Sequence, residues 1–177
     1  VLKAPASFNS WGTITIALTS SGETFTAPTI VAPLSGGTFS YALDNSALAT
    51  LSGTTITPVS AGTTNMVATF TPTDTTNYET GTVTTTLTIS KGGRTLSFGT
   101  TAYSKSYGDS AFTISATPSL GAGDGTITYS ANGGACAINA TTGVVSITSA
   151  GSCSISATIS TGLNYDQVST TTPVVVS

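Results

Sequence analysis

Two cysteines, seven carboxylates and four cations make up the charged and thiol chemistry of this 177-residue sequence, which has no histidine. That stock excludes most site chemistry at once. Without an imidazole there is no histidine-dependent triad and no histidine base, and two cysteines cannot complete a tetrahedral zinc site. Calcium takes six or more oxygens, usually from several carboxylates, yet the acids stand singly as Glu23, Asp44, Asp74, Glu79, Asp109, Asp124 and Asp166. Asp124, inside the run Gly121-Ala122-Gly123-Asp124-Gly125, is the best placed of them to hold a ligand, against the plainer reading of a solvated turn aspartate. Asp109 and Glu79 are the candidates for a calcium ion shared between repeats. Nothing selects the pair of acids that glycoside cleavage would need, so no enzymatic activity, no metal and no cofactor is expected.

Cys136 and Cys153 invite pairing, since they are the only cysteines and each falls on an expected strand. A bridge closing a loop of that size contributes about 3 kcal/mol if unstrained and belongs to an oxidising compartment; the alternative is two buried thiols acting as small apolar residues. Lys3, Lys91 and Lys105 would join an asparagine in an isopeptide bond only if buried, and they read as ordinary exposed lysines. Tyr103 and Tyr107 offer aromatic faces to a sugar ring and, with Asp124, are the candidate ligand-binding residues. Thr82, Thr84, Thr86 and Thr88 alternate, which puts their hydroxyls on one side of a strand. Such a row suits an ordinary soluble exterior first, and ice binding or O-glycosylation after it. Asn139-Ala140-Thr141 is a sequon for N-glycosylation.

The elements that must position these residues are strands. Thr (39) and Ser (25) exceed a third of the chain, only 6% is charged and the net charge is -3, a composition unlike the highly charged, hydrophobe-poor pattern of disorder. Branched Thr and Val suit a pleated, half-buried surface. Apolar residues alternate over residues 13–18, 38–42, 66–70, 83–89, 112–116, 145–148, 153–159 and 172–176, and glycine-bearing turns such as Ser35-Gly36-Gly37, Ser52-Gly53 and Asn132-Gly133-Gly134 separate the runs. No helical periodicity competes. No apolar run of 18 residues occurs and no leader pattern opens the sequence, which reads as a mature or excised piece of a longer chain with no membrane insertion in this segment. Four cations in a chain of pI about 4.3 make nucleic acid an unsuitable partner.

The order of motifs repeats. Gly37-Thr38-Phe39-Ser40-Tyr41, Ser60-Ala61-Gly62 and Asn77-Tyr78 return as Gly125-Thr126-Ile127-Thr128-Tyr129, Ser149-Ala150-Gly151 and Asn164-Tyr165, at offsets of 88, 89 and 87 residues. The break falls near Ser90-Lys91-Gly92-Gly93, giving two seven-stranded sandwiches over 1–90 and 91–177. On this alignment the cysteines face Leu48 and Thr64, so both are absent from the first unit together. Tyr41 and Tyr129 fall at equivalent sites, as do Tyr78 and Tyr165. Trp11, Phe25, Phe39, Phe70, Phe98 and Phe112 are spread along the sequence at core-like positions.

The stretch Phe70-Thr71-Pro72-Thr73-Asp74-Thr75-Thr76-Asn77-Tyr78 followed by Val83 to Ile89 resembles the closing strands of bacterial Ig-like repeats of the MBG type, which occur in large exported surface proteins. The second unit resembles them in its Tyr107-Gly108-Asp109-Ser110-Ala111-Phe112 opening, its Ser149-Ala150-Gly151 turn and its Asn164-Tyr165 pair; the resemblance covers residues 37–177. It implies two tandem immunoglobulin-like β-sandwiches at the cell surface, with neighbouring Ig-like repeats of the same protein as partners and no catalytic residue. The expected role is a structural spacer. An adhesive or glycan-binding module, and a repeat unit of a self-assembling filament or surface layer, are the alternatives.

Overall fold

The structure, a computed structural model with side chains, describes residues 2–31, 34 and 36–177; Ser35 of the first expected turn lies outside them. The described residues form strands, bridges and turns and no helix. The chain divides into two compact units, Val1–Gly92 and Gly93–Ser177, two residues past the break expected from sequence.

The first unit has seven strands: β1 (Ile14–Ala17), β2 (Glu23–Thr24), β3 (Gly37–Leu43), β4 (Ala49–Ser52), β5 (Thr55–Pro58), β6 (Gly62–Pro72) and β7 (Gly81–Ser90). They form one sheet in the order β1-β7-β6-β3 and a second in the order β2-β5-β4. The second unit has nine: β8 (Leu96–Phe98), β9 (Tyr103–Lys105), β10 (Phe112–Thr113), β11 (Ala116–Pro118), β12 (Ile127–Asn132), β13 (Cys136–Ile138), β14 (Val144–Ile147), β15 (Gly151–Ile159) and β16 (Val168–Val176). Its sheets, β9-β16-β15-β12 and β10-β14-β13, repeat the first unit strand for strand, and a β8-β11 pair is added. Each unit is an immunoglobulin-like sandwich, and the whole described chain is all-β.

Alternation builds each core. β6 buries Thr64, Met66, Ala68 and Phe70 on one face, β7 buries Thr85, Leu87 and Ile89 on the same side, and Ile16, Phe25, Ala49 and Ile56 complete the packing. In the second unit Ile155, Cys153, Val174, Val176, Val145 and Ile114 form one cluster, and Leu96, Ala116, Ala157 and Ile159 a second. The aromatics that are scattered in sequence converge in space: the β3–β6 register sets Phe39 opposite Phe70, their ring centroids 4.9 Å apart, and Phe8, Tyr41, Phe25 and Trp11 continue the chain of contacts. One expected strand is broken. Residues 112–116 pair first with β14, through Phe112 and Val145, and then with β8, through Ala116 and Phe98, so the chain changes sheets at Ile114–Ser115.

Among the described residues, the outer faces of the four-stranded sheets carry hydroxyls and no charged side chain. Cross-strand rows read Ser40–Thr69–Thr82 in the first unit and Thr128–Thr158–Ser169 and Ser130–Ser156–Thr171 in the second. In the latter the hydroxyls bond to one another, Thr158 to Ser169 at 2.7 Å and Ser156 to Thr171 at 3.0 Å.

Cys136 and Cys153 form a disulfide with Cα atoms 6.0 Å apart. It joins β13 of one sheet to β15 of the other, where facing sheets ordinarily lie about 10 Å apart, so it pins the sandwich across its core. The first-unit counterpart of Cys136 is Ala49 and not the expected Leu48. The backbone carbonyls of Leu48 and Ala135 each accept the paired amides that open the next turn, from Val59 and Ser60 and from Thr148 and Ser149, which aligns the residues after them. In the first unit a fully buried Ala49 and the Thr64 hydroxyl, which accepts the Asn45 amide, replace the bridge.

Removing the bridge with Cys136→Ser and Cys153→Ser together is expected to lower the stability of the second unit by about 3 kcal/mol, given its separation of 17 residues, and to leave the first unit unchanged. Urea unfolding followed by signals specific to each unit measures this; a shift in both transitions, or in neither, contradicts it.

Candidate functional site

The sequence-derived ligand candidates lie at opposite ends of the second unit. Tyr103 and Lys105 sit on β9, which pairs in parallel with the end of β16, whereas Asp124 meets the loop that precedes β16. Tyr103 pairs with Val174, well along β16 from its start at Val168, so the strand holds these ends about 20 Å apart, at some 3.3 Å per residue. Tyr103 is half-buried with its ring 5.5 Å from that of Phe112, and Lys105, expected to be free in solvent, is half-buried with its Nζ 4.6 Å above the same Phe112 ring. Tyr107 is 66% exposed, and its amide donates to the Ser177 carbonyl.

At the other end, Asp124 reaches across to the 161–165 loop. The amides of Leu163, Asn164 and Tyr165 donate to its two carboxylate oxygens at 2.6, 2.9 and 2.8 Å. Gly162 makes this approach possible, because a Cβ there would overlap the carboxylate. Beneath it lies Arg94, the only arginine of the chain and just 8% exposed. Its Nε donates to the Asp166 carbonyl, its Nη1 to those of Gly121 and Asp124, and its Nη2 to that of Ser160. The guanidinium also sits 5.7 Å from the centroid of Tyr165. Gly125, at φ +104°, lets the chain turn beside the Ser160 carbonyl, where a side chain would collide. One planar fork thus ties together two loops that no ladder joins, a task a point-charged lysine cannot perform.

The first unit meets the same demand by a local route. Asp74 accepts the amides of Thr76 and Asn77 at 3.1 Å each and the Asn77 side-chain amide at 2.8 Å, all within the loop before β7. The carboxylate comes from inside the loop in one unit and from a neighbouring loop in the other. Sequence reading singled out Asp124 and missed Arg94; the available signal was a lone arginine among three lysines, next to a glycine-rich boundary.

In each unit a short early strand lies in parallel beside the end of the last strand. β1 runs along the end of β7 from Ile14–Leu87 to Ala17–Ser90, extended by Leu18 donating to the Ser90 carbonyl at 3.0 Å and by the Ser90 hydroxyl on the Ile16 carbonyl. β9 runs along the end of β16 from Tyr103–Val174 to Lys105–Val176, extended by Ser177 donating to the Lys105 carbonyl and Tyr107 to that of Ser177. Among the described residues no three His, Cys, Asp or Glu side chains gather where a metal could bind.

No protein-family profile and no curated protein sequence matches the chain. Among solved structures it is similar to mouse cadherin-23 EC22-24 (17% identity, TM-score 0.40, covering 97% of this chain and 64% of that one). It is also similar to Sidekick-1 immunoglobulin domains 1-4 (15%, 0.47, 97% and 48%) and to domains 4 and 5 of the S-layer protein SbsC (15%, 0.38, 88% and 78%). The chain thus spans about half to two thirds of the length of the first two.

Partial desolvation pushes the Asp124 carboxyl up, but the amides of Asn164, Leu163 and Tyr165, with Arg94 nearby, outweigh it and hold the group below its ordinary value. Asp74 is lowered as well, chiefly by the Asn77 side chain and amide. A carboxyl depressed in the folded state stabilises fully above its unfolded value, near 3.9, and that contribution is lost as pH falls through the folded value. Thermal melts between pH 2 and 7 are therefore expected to weaken only below about pH 4, with Asp124→Asn flattening the acid limb of the second unit alone and Asp74→Asn that of the first. Acid limbs unchanged by either substitution would contradict the assignment.

Proposed function

We propose that the chain is a pair of tandem spacer repeats from a large exported bacterial surface protein, each repeat built to bear tension applied at its ends. The parallel pairing of an early strand, β1 or β9, with the last strand carries this reading. Pulling β1 toward its start and β7 toward its end slides two parallel strands past each other, so their ladder bonds are loaded together in shear. An antiparallel terminal hairpin would instead open one bond at a time. The same parallel geometry recurs in β9 and β16, behind the antiparallel β8–β11 pair that lies earlier in the chain. The disulfide fits an oxidising exterior, and the hydroxyl faces supply solubility without charge. The absence of a recognisable catalytic constellation in the sequence agrees with a role that consumes no substrate.

Single-molecule stretching of the whole chain tests this. Two separate unfolding events are expected, and reducing the disulfide should lengthen one of them by about 60 Å, for 17 residues released at roughly 3.5 Å each. Leu18→Pro, which removes the amide that donates to the Ser90 carbonyl at the end of the β1–β7 ladder, should lower the rupture force of the first unit only. Rupture at forces no higher for the intact units than for that variant would sink the spacer reading.

A second reading, assembly with other copies, draws on the free edge of β3. Asp44 donates to Asn65, and Thr73 to Gly36, which fixes the even-numbered residues as the ones bonded to β6 and turns the amides of Phe39, Tyr41 and Leu43 outward. In the second unit the equivalent Tyr129 amide is taken by the Ala140 carbonyl at 2.9 Å. β3 has none of the charges or prolines that usually protect an edge, and a cleft of about 300 Å³ lies between it and β4. If copies pair through β3, light scattering should show growth with concentration that Ala42→Lys abolishes. A monomer at all concentrations removes this reading and leaves the spacer intact.

A further inference from the structure

A cleft of about 460 Å³ opens on the first unit between two short extended segments, Ser10–Ile14 and Phe25–Thr29. Its walls are held from behind. The Trp11 indole donates to the Thr26 carbonyl at 3.0 Å, and its ring packs against Phe25 and Tyr41 with centroids 5.9 and 6.1 Å away. Asn9 closes one end with two hydrogen bonds to Thr29, backbone to backbone at 3.0 Å and side chain to hydroxyl at 2.9 Å. The Thr85 hydroxyl anchors the floor by donating to the Gly12 carbonyl at 2.8 Å. Trp11 is half-buried, while Ser10, Thr13, Thr26 and Thr29 are exposed along the rim.

The composition of the cleft selects its occupant. Among the described residues no charged side chain lines it, so nothing there compensates the desolvation of a phosphate, a carboxylate or an ammonium. The Trp11 N–H is already taken by the Thr26 carbonyl of the facing wall, so the indole adds an apolar ring and no free donor to the lining, and the rim offers hydroxyls that both donate and accept. A ligand matched to this surface has an apolar face with polar groups around its edge and no net charge, which describes a pyranose ring. The volume lies within the range of small-ligand sites and suits one or two such rings. We propose that this cleft binds a neutral pyranose unit of a polysaccharide, with the ring stacked on Trp11 and its hydroxyls on the Ser10, Thr13, Thr26 and Thr29 rim. This goes beyond the spacer role, which needs no ligand. It belongs to the first unit, whereas Tyr103 and Tyr107 belong to the second, and it gives the repeat a place to rest on a glycan.

Trp11 is the only tryptophan of the chain, so its emission reports on the cleft directly. The whole chain is titrated with maltose, cellobiose, lactose and diacetylchitobiose, and with glucuronic acid and a neutral Thr/Val hexapeptide as competitors, while saturation-transfer NMR records which ligand protons touch the protein. A saturable emission change with at least one neutral disaccharide is expected, in the millimolar range typical of small polar ligands. Thr13→Glu, which adds a charge to an exposed rim position, should weaken it at least tenfold without moving the unfolding midpoint of the first unit. Silence from all four disaccharides overturns the proposal. So does stronger binding of glucuronic acid or the peptide, or sugar binding that Thr13→Glu leaves untouched.

Discussion

Everything in each unit hangs on one antiparallel pairing, β6 with β7 and β15 with β16, each nine residue pairs long. These ladders supply the inner wall of both cores through Met66, Ala68, Leu87 and Ile89, and through Ile155, Ala157, Ile159 and Val174. Because side chains alternate between faces, a slip of one residue would carry all of these into water and bring threonines into the core. β3 and β12 are then placed by one side of the pair, and β1 and β9 by the other. The parallel terminal pairing is thus a consequence of how the last strand is seated, not an independent device.

The loops show how a chain with so few charges uses them to fix the turn before each last strand. The turn before the last strand leaves several amides without ladder partners, and a carboxylate that accepts them together fixes the turn's shape. Asp74 answers from within the turn, while Asp124 answers from a neighbouring loop, with Arg94 collecting the carbonyls left over. The second arrangement ties two distant segments of sequence and therefore needs three glycine-dependent close approaches, at Gly121, Gly125 and Gly162. Two repeats of one fold thus reach the same loop shape by local and by long-range chemistry.

The sandwich class, the repeat and the long strands were legible because period-two alternation over five or more residues is what a half-buried strand imposes and a helix does not. The two-residue strands β2 and β10 were not, since a pair of residues carries no period. The break within residues 112–116 stayed hidden for a related reason: alternation persists while the strand changes partner, and pairing leaves no mark on a single strand. The disulfide was legible because cysteine is rare here and its chemistry needs a mate. Its span between sheets, and the offset that makes Ala49 and not Leu48 the counterpart of Cys136, required the backbone bonds of Ala135 and Leu48. Arg94 was hidden by its sequence neighbours, since burial of a cation depends on carbonyls brought from residues 121, 124, 160 and 166.

The hydroxyl rows across the four-stranded sheets make the hydration of those faces indifferent to the ions around them. A surface that dissolves by carboxylates and ammonium groups contracts, swells or precipitates as its ion atmosphere changes, because those charges are screened by salt and neutralised by acid. Threonine and serine hydroxyls have no charge to screen and no proton to lose in ordinary waters. A face made of them presents the same hydration in concentrated salt, in fresh water and in mildly acidic solution.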